Sequence, residues 1–457
     1  MIADEIYVFK PETKKKIIIL GVVGIVLFAL GVFMASGSGG HESHGAVKEG
    51  HAAMEASKNL VASTEQHAAA AEGHEAGAAE HHGSSPLAVR IFASLWHNNI
   101  FFAGIGIIGL FFIAIQYAAQ AGWSAPIKRI PLAIGSWIPF AGILMLIIWF
   151  VVKGDIFHWT HASLYDVNSP DYDKIISGKA SFFFVPGQQG GGFPVFYIVR
   201  MVVFFTLWYL FFIWIKKEML AEDIEGGTLH WLKARKLSAI FLVIFAVSSS
   251  VSAWDWVMSI DTHWYSTMFG WYVFASWWVT GLATITFIVA GLKDAGYLKM
   301  VNANHLHDLG KFVFAFSIFW TYIWFSQFLL IYYANIPEEA VYFLQRMDNA
   351  PYSWIFYANL FLNFILPFLL LMTRDAKRHL SMLKVVCPII IIGHWFDFYN
   401  MITPGVMKGN GGIGFLEIGL FLTFASVFLF VVLNALSKVQ LVAKHHPFME
   451  ESLNHHI

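Results

Sequence analysis

Long apolar runs broken by short clusters of charge set the rhythm of this chain. About 20 consecutive apolar residues suffice to cross a bilayer as a helix. Ten such runs are legible, near residues 17–36, 93–119, 130–152, 193–215, 237–260, 268–292, 309–334, 351–372, 383–403 and 413–436. Lysine and arginine gather at the N-terminus (Lys10, Lys14, Lys15, Lys16) and after every even-numbered run. These are Lys128 and Arg129, then Lys216, Lys217, Lys233, Arg235 and Lys236, then Lys293 and Lys299, then Arg374, Lys377, Arg378 and Lys384, and finally Lys438 and Lys444. The intervening loops are acidic or sparsely charged, with Asp166, Asp171, Asp173, Glu338 and Glu339. A one-sided excess of Lys and Arg in short loops marks the cytoplasmic side. The pattern therefore predicts a multi-pass, all-α integral membrane protein with ten transmembrane helices and both termini cytoplasmic. The first run follows lysines and precedes small residues, as a signal peptide would; it is read as a retained anchor helix.

Composition agrees. Hydrophobic residues make up 57% of the chain and charged residues 13%, about half the charge of a soluble domain. A net charge of −1 leaves no footprint for nucleic acid. The single cysteine, Cys387, excludes a cysteine-ligated iron–sulfur cluster, a CxxCH haem attachment and an intrachain disulfide.

Two loops on the acidic side differ in character. Residues 37–92 are rich in Ala, Gly, Glu and His, including His41, His44, His51, His67, His74, His81 and His82. Such a segment cannot bury a core and reads as an extracytoplasmic linker. The loop 153–192 instead carries aromatic residues, among them Phe157, Trp159, Tyr165 and Phe182 to Phe184. It suits both a cover over the bundle mouth and a docking surface for an extracytoplasmic partner.

Polar residues inside apolar runs are costly and often mark function. Two aspartates stand out, each between aromatic residues near the end of a run: Asp255, flanked by Trp254 and Trp256, and Asp397, flanked by Phe396 and Phe398. Their matching positions, four runs apart, suggest a duplicated bundle. Ser248, Ser252, Asp255 and Ser259 share one helical face, as do His394, Asp397 and Met401, with Asn400 beside them. Arg200, His97, Asn98, Asn99, Glu417, Gln327 and Asn335 fall at comparable depth. An arginine, carboxylates and a histidine at one level suggest a buried, charge-compensated site built from Asp255, Asp397, Arg200 and His394. Interhelical bonds that merely fix rotation are the plainer alternative. Asn359, Asn363 and Pro367, with Tyr322 and Gln327, would extend a hydrated path, or else hydrogen-bond around a proline kink. Near the basic side, His305, His307, Asp308, Lys311, His230, Glu222, Asp223 and Glu225 read as solvated interface residues. His97 and His394 are the one pair placed to hold a membrane haem, and the pattern disfavours it.

Several motifs resemble a known family. They are Ser-Ala-Trp-Asp-Trp-Val-Met-Ser at 252–259, Trp-Tyr-Ser-Thr-Met-Phe-Gly at 264–270 followed by Ser276, Trp277 and Trp278, Phe-Ser-Gln-Phe-Leu-Leu-Ile-Tyr-Tyr at 325–333 with Asn335 and Glu338, and Gly-His-Trp-Phe-Asp at 393–397. Together they are similar to the NrfD/polysulfide-reductase membrane-subunit superfamily. Within it, they resemble the ActF family of membrane subunits of bacterial alternative complex III, a quinol:cytochrome c (or cupredoxin) oxidoreductase. The resemblance covers the chain outside the His-rich linker. It implies two repeated four-helix bundles (helices two to five and six to nine) with one flanking helix at each end. The divisions would be 1–36 anchor, 37–92 linker, 93–260 first bundle, 261–403 second bundle and 404–457 last helix and tail.

The resemblance also implies the bacterial inner membrane as location. Expected partners are multihaem c-type cytochrome subunits, an iron–sulfur subunit, an ActC-like second ten-helix subunit and, in a supercomplex, a terminal oxidase. Haem c and iron–sulfur clusters would reside in those partners, and none in this chain. A quinone pocket around Asp255, Trp254, Trp256 and Ser249 stays open. In the ActC-like subunit a histidine stands nearly two helical turns before the aspartate, whereas that position here is Ser249. The expected role is support of quinol oxidation with proton conduction through Asp255, Asp397, His394 and Arg200. An ion-coupled transporter and a purely structural scaffold are the competing classes.

Overall fold

The computed structural model describes residues 5–37, 84–185, 187–188 and 190–456. The histidine-rich linker lies almost wholly outside the described residues. Among them, ten helices are long and apolar enough to cross a membrane. They are α1 (Pro11–Gly37), α2 (Pro86–Ala118), α3 (Ile138–Ile156), α4 (Val195–Glu225) and α5 (Leu229–Trp256), then α6 (Phe269–Asp294), α7 (Ala303–Ala334), α8 (Ala350–Leu370), α9 (Leu380–Met407) and α10 (Phe415–Leu436). A short helix, Arg129–Gly135, leads into α3. Several helices start earlier than apolar length alone predicts, α5 at Leu229 and α7 at Ala303 among them. α1 begins at Pro11, and α2 begins at Pro86 inside the expected linker, because Ser85 caps it by accepting from the Ala88 N–H at 3.3 Å. A serine N-cap followed by proline is a favoured helix start.

The packing is a ring used twice. α2 packs on α3 and α5, and α4 closes the ring against the same two helices. In the second half α6 packs on α7 and α9, and α8 closes against those two. The rings meet through α2 and α6, which also reach α9 and α5 respectively. These two central helices are the most deeply buried of the ten, at 94% and 89% over their apolar windows. Close approach there depends on glycine: a β-carbon on Gly104 would stand 1.9 Å from the Trp277 ring, and one on Gly281 would stand 2.1 Å from Ile108.

The flanking helices α1 and α10 pair with each other, Gly24 and Gly419 allowing backbone to meet backbone. Small residues serve this purpose in lipid, where burial of apolar surface drives little association. The outward faces remain apolar and exposed, as at Phe33, Val243 and Val247, and suit lipid contact.

Both described ends lie on one face. Ile6 bridges Gln440, and the Leu441 N–H donates to the Glu5 carbonyl at 2.9 Å. This basic face is strapped by the tail that follows α10. His446 contacts Lys128 at 2.7 Å, His455 meets Asp308 at 2.6 Å, and Ser452 bonds the Trp123 carbonyl and His305. The residues expected to be merely solvated are therefore structural. His305 forms a capping box with Asn302 at the start of α7, Asp308 also pairs with Lys311, and His230 bridges Glu218 and Glu225.

On the opposite face the 153–185 loop folds back over the first ring. Trp159 stacks on Phe183 with centroids 3.9 Å apart, and Lys179 donates to the Thr262 carbonyl. An amphipathic helix, Pro337–Met347, lies over the second ring, where Tyr342 stacks on Trp264 at 3.9 Å.

Candidate functional site

The two aspartates are both fully buried, yet their surroundings differ in kind. Asp255 ends α5 and is locked to Arg200 of α4: Nε donates to Oδ2 and Nη2 to Oδ1, each at 2.7 Å. The guanidinium is itself sandwiched between the Phe182 and Phe196 rings, 4.5 Å from each centroid. Phe182 belongs to the folded-back loop, so the cover over the first ring also completes this pair. A bidentate, aromatic-clamped arginine fixes geometry as well as charge. Nearby groups reinforce the same helix end: Ser259 donates to the Asp255 carbonyl at 2.5 Å, Trp96 to the Trp256 carbonyl at 2.9 Å, and Trp208 to the Ser248 hydroxyl at 2.9 Å.

Asp397, on α9, has no arginine or lysine beside it among the described residues. Its carboxylate accepts from the Tyr272 hydroxyl of α6, from the Trp320 indole of α7 at 2.9 Å and from the Asn359 amide of α8 at 2.8 Å. Every other helix of the second ring thus contributes one neutral donor. His394, one turn earlier, keeps its Nδ1 3.7 Å from the carboxylate and bonds the Ser276 hydroxyl at 2.9 Å instead. Its Nε2 is buried without a protein partner. Asn359 is held in turn by the Asn363 amide at 2.5 Å. The turn Phe361–Ile365 is widened to a π-helix just before Pro367. Proline has no N–H and its ring crowds the carbonyl four residues back, which here is Asn363.

Two spaces lie between the donors of Asp397 and the acidic face. An open cleft of about 360 Å³ on the acidic face is lined by Asp155, His158, Asp261, His263, Tyr342 and Lys408 among others. Tyr342 also lines a second, much smaller cavity of about 10 Å³, together with Tyr272, Gln327, Arg346, Asn359 and Asn400. Two of those, Tyr272 and Asn359, are donors to Asp397. The small cavity has the volume of about one water molecule. Gln327 Oε1 and both side-chain atoms of Asn400 are buried without protein partners. Arg346 seals the wall between the two spaces, bonding the Asp261 carboxylate at 2.9 Å and the Asn400 carbonyl at 2.7 Å, with its guanidinium over the Tyr342 ring.

The four residues expected to form one cluster therefore divide into two pairs, Arg200 with Asp255 and His394 beside Asp397. No hydrogen bond or ion pair joins the pairs among the described residues. Rotation explains the split, since each aspartate points into its own ring. Glu417 joins neither and pairs with Arg90 at 2.6 and 2.9 Å. Tyr322 is 66% exposed and leaves the path. Gln327, Asn359 and Asn363 stay in it. His97 bonds the Trp395 carbonyl at 3.0 Å, so it and His394 have separate partners. Residues the sequence reading missed are Tyr272, Trp320, Arg346, Tyr342 and Arg90. Aromatic donors are hard to single out among 18 Trp and 16 Tyr, and Arg346 follows a span rather than lying within one.

The expected quinone contacts also separate. Ser249 lines an apolar groove of about 230 Å³ with Phe111, Phe245, Phe274 and Trp271, which Asp255, Trp254 and Trp256 do not reach. The Ser249 hydroxyl donates to the Ala246 carbonyl at 3.4 Å, and both Asp255 oxygens are taken by Arg200. These residues do not share one pocket for a quinone head group, whose two carbonyl oxygens need donors and whose quinol hydroxyls need acceptors. No family model matches the chain, and no curated protein matches it either.

Proposed function

We propose that this chain is a membrane subunit, without a redox centre of its own, of a quinol:cytochrome c (or cupredoxin) oxidoreductase of the alternative complex III type. Its part is to conduct protons on the outward side while a partner subunit oxidises quinol. The supporting observation is the Asp397 site: a fully buried carboxylate held only by neutral donors and one water-sized cavity away from an open cleft. A carboxylate clamped by arginine, like Asp255, is suited to holding helices. One held by a phenol, an indole and an amide is suited to exchanging a proton.

In this reading a proton reaching Asp397 passes through the Tyr272 hydroxyl and a water held by Gln327 and Asn400, and leaves past Tyr342 to the cleft. His394 supplies a second titratable ring one turn deeper. Multihaem cytochrome, iron–sulfur and ActC-like subunits would carry electrons and quinol, and the bacterial inner membrane would be the setting.

Purification under mild detergent tests the assignment. The chain should arrive with haem-c absorbance, and Asp397→Asn should lower proton release per electron while leaving assembly intact. A colourless chain purifying alone, or unchanged proton release in the variant, would sink it. The widened turn before Pro367 in α8 favours one competitor, because ion-coupled transporters place broken helices at their sites. Ion-driven uptake by the isolated chain in vesicles would decide for that reading.

A further inference from the structure

A groove at the basic face lies between the approach to α1 and the ends of α6 and α10, with a volume of about 320 Å³. Its polar end carries Lys10 and Thr13, its shaft Gly291 and Leu433, and its inner wall Tyr7 and Tyr297. We infer that this groove binds an anionic phospholipid, the phosphate at Lys10 and Thr13 and the first part of one acyl chain along α6 and α10.

Four observations converge on that ligand. First, Lys10 forms no ion pair among the described residues, and Lys14, whose ammonium lies 5.1 Å from the Phe9 ring, forms none either. The nearest acidic residue in sequence, Glu12, leaves both lysines unpaired, and Lys15 and Lys16 add to the same field. Second, the inner wall is built rather than loose: Tyr7 packs edge-on against Tyr297 at 5.4 Å, and the segment that carries Lys10 is pinned by the Ile6–Gln440 bridge. Third, the shaft is open. A β-carbon on Gly291 would meet nothing within 4 Å, and Phe287 beside it is 37% exposed. Fourth, the groove runs from the lysine-rich end of α1 along apolar helix ends, so charge and grease lie in the order a phospholipid presents them. Basic pockets between membrane helices at this level recognise lipid head groups. A soluble phosphate would use the lysine but not the apolar shaft.

Native mass spectrometry of the full-length chain, titrated with dioleoyl phosphatidylglycerol or dioleoyl phosphatidylcholine, tests the inference. Phosphatidylglycerol should bind preferentially. Lys10→Gln should weaken it about fivefold, the contribution of one lysine near an anionic surface, and leave phosphatidylcholine unchanged. Gly291→Leu, which fills open space and so leaves the fold alone, should displace the bound lipid. Equal binding of the two lipids, wild-type binding by both variants, or displacement of phosphatidylglycerol by equimolar glycerol phosphate would overturn it.

Discussion

Removing the arginine from the first ring gives the sharpest test of how these buried charges work. Arg200→Met keeps the length of the side chain between Phe182 and Phe196 but leaves Asp255, which is fully buried, without a cation. Breaking a buried pair from one side costs about 3–5 kcal/mol, because the remaining charge stays desolvated. An ordinary interhelical hydrogen bond in a membrane protein couples by only about 0.6 kcal/mol. The two values are far enough apart to decide between a charge lock and a packing bond. The partners should also be unequal. Arg200 is 11% exposed and near a helix end, so in Asp255→Asn the guanidinium can turn toward water, and that variant should lose less. The double variant should recover most of the loss, giving a coupling energy above about 2 kcal/mol. Equilibrium unfolding in mixed micelles, followed by tryptophan fluorescence, supplies all four stabilities. A coupling below about 1 kcal/mol, or a larger loss for Asp255→Asn than for Arg200→Met, would refute the account.

Asp397→Asn should fold normally but lose about 1–3 kcal/mol, since its new amide N–H must face one of three donors; thermal unfolding against wild type checks this. Tyr342→Phe should slow proton release while costing no more than about 1.5 kcal/mol of stability, the worth of one buried hydrogen bond, provided Tyr342 carries protons between cleft and cavity; stopped-flow pH indicators read it. Gly104→Ala should be among the most damaging small changes, about 3 kcal/mol or more, because the added carbon would lie 1.9 Å from Trp277 where two rings meet; yield and melting temperature report it. The tail strap should loosen in acid. Burial and the neighbouring cations Lys128 and Arg129 hold His446 neutral and well below its usual value, while burial draws Lys128 down to about 7 despite the carboxylate of Glu222. Both groups bind more protons when released, so the strap is strongest at high pH, weakens through Lys128 as pH falls from the ordinary lysine range toward about 7, and weakens again through His446 below 6.5. Protection of the 438–456 amides, taken relative to the intrinsic exchange rate at each pH, should fall from pH 8 to pH 6; a flat profile would contradict this.

The spans, their number and the faces of the two aspartates were legible because they depend on local signals: apolar length, loop charge and helical spacing. The partners were not, because they arrive from helices far away in the chain. Nothing near Asp397 in sequence announces Tyr272, Trp320 or Asn359, each on a different helix. Depth alone suggested that Arg200, Asp255, Asp397 and His394 share a site; depth says nothing of rotation, and rotation sends them into different rings. The loop over the first ring was legible as aromatic, yet that Phe182 would clamp Arg200 follows only from its folded position.

Duplication makes the contrast between the rings informative. The helix pairings repeat with a shift of four helices, so Asp255 and Asp397 lie on corresponding helices, the first at the end of α5 and the second about three turns before the end of α9. In the first ring the neighbouring fourth helix offers Arg200. In the second its counterpart α8 offers Asn359, on a helix disturbed by a widened turn. If both aspartates served only to fix helices, an arginine in each ring would be the stronger solution. The second ring instead keeps neutral donors, an orphaned histidine nitrogen and a water-sized cavity that shares Tyr342 with a cleft. Such a site is a weaker lock and a better place for a charge to change. Replacing Asn359, which is 1% exposed, with the similarly sized Leu removes one donor to Asp397, and should cost about 1–3 kcal/mol and slow proton release together. A loss of stability with undiminished proton release in Asn359→Leu would separate the two properties and remove the reason for assigning chemistry to the second ring.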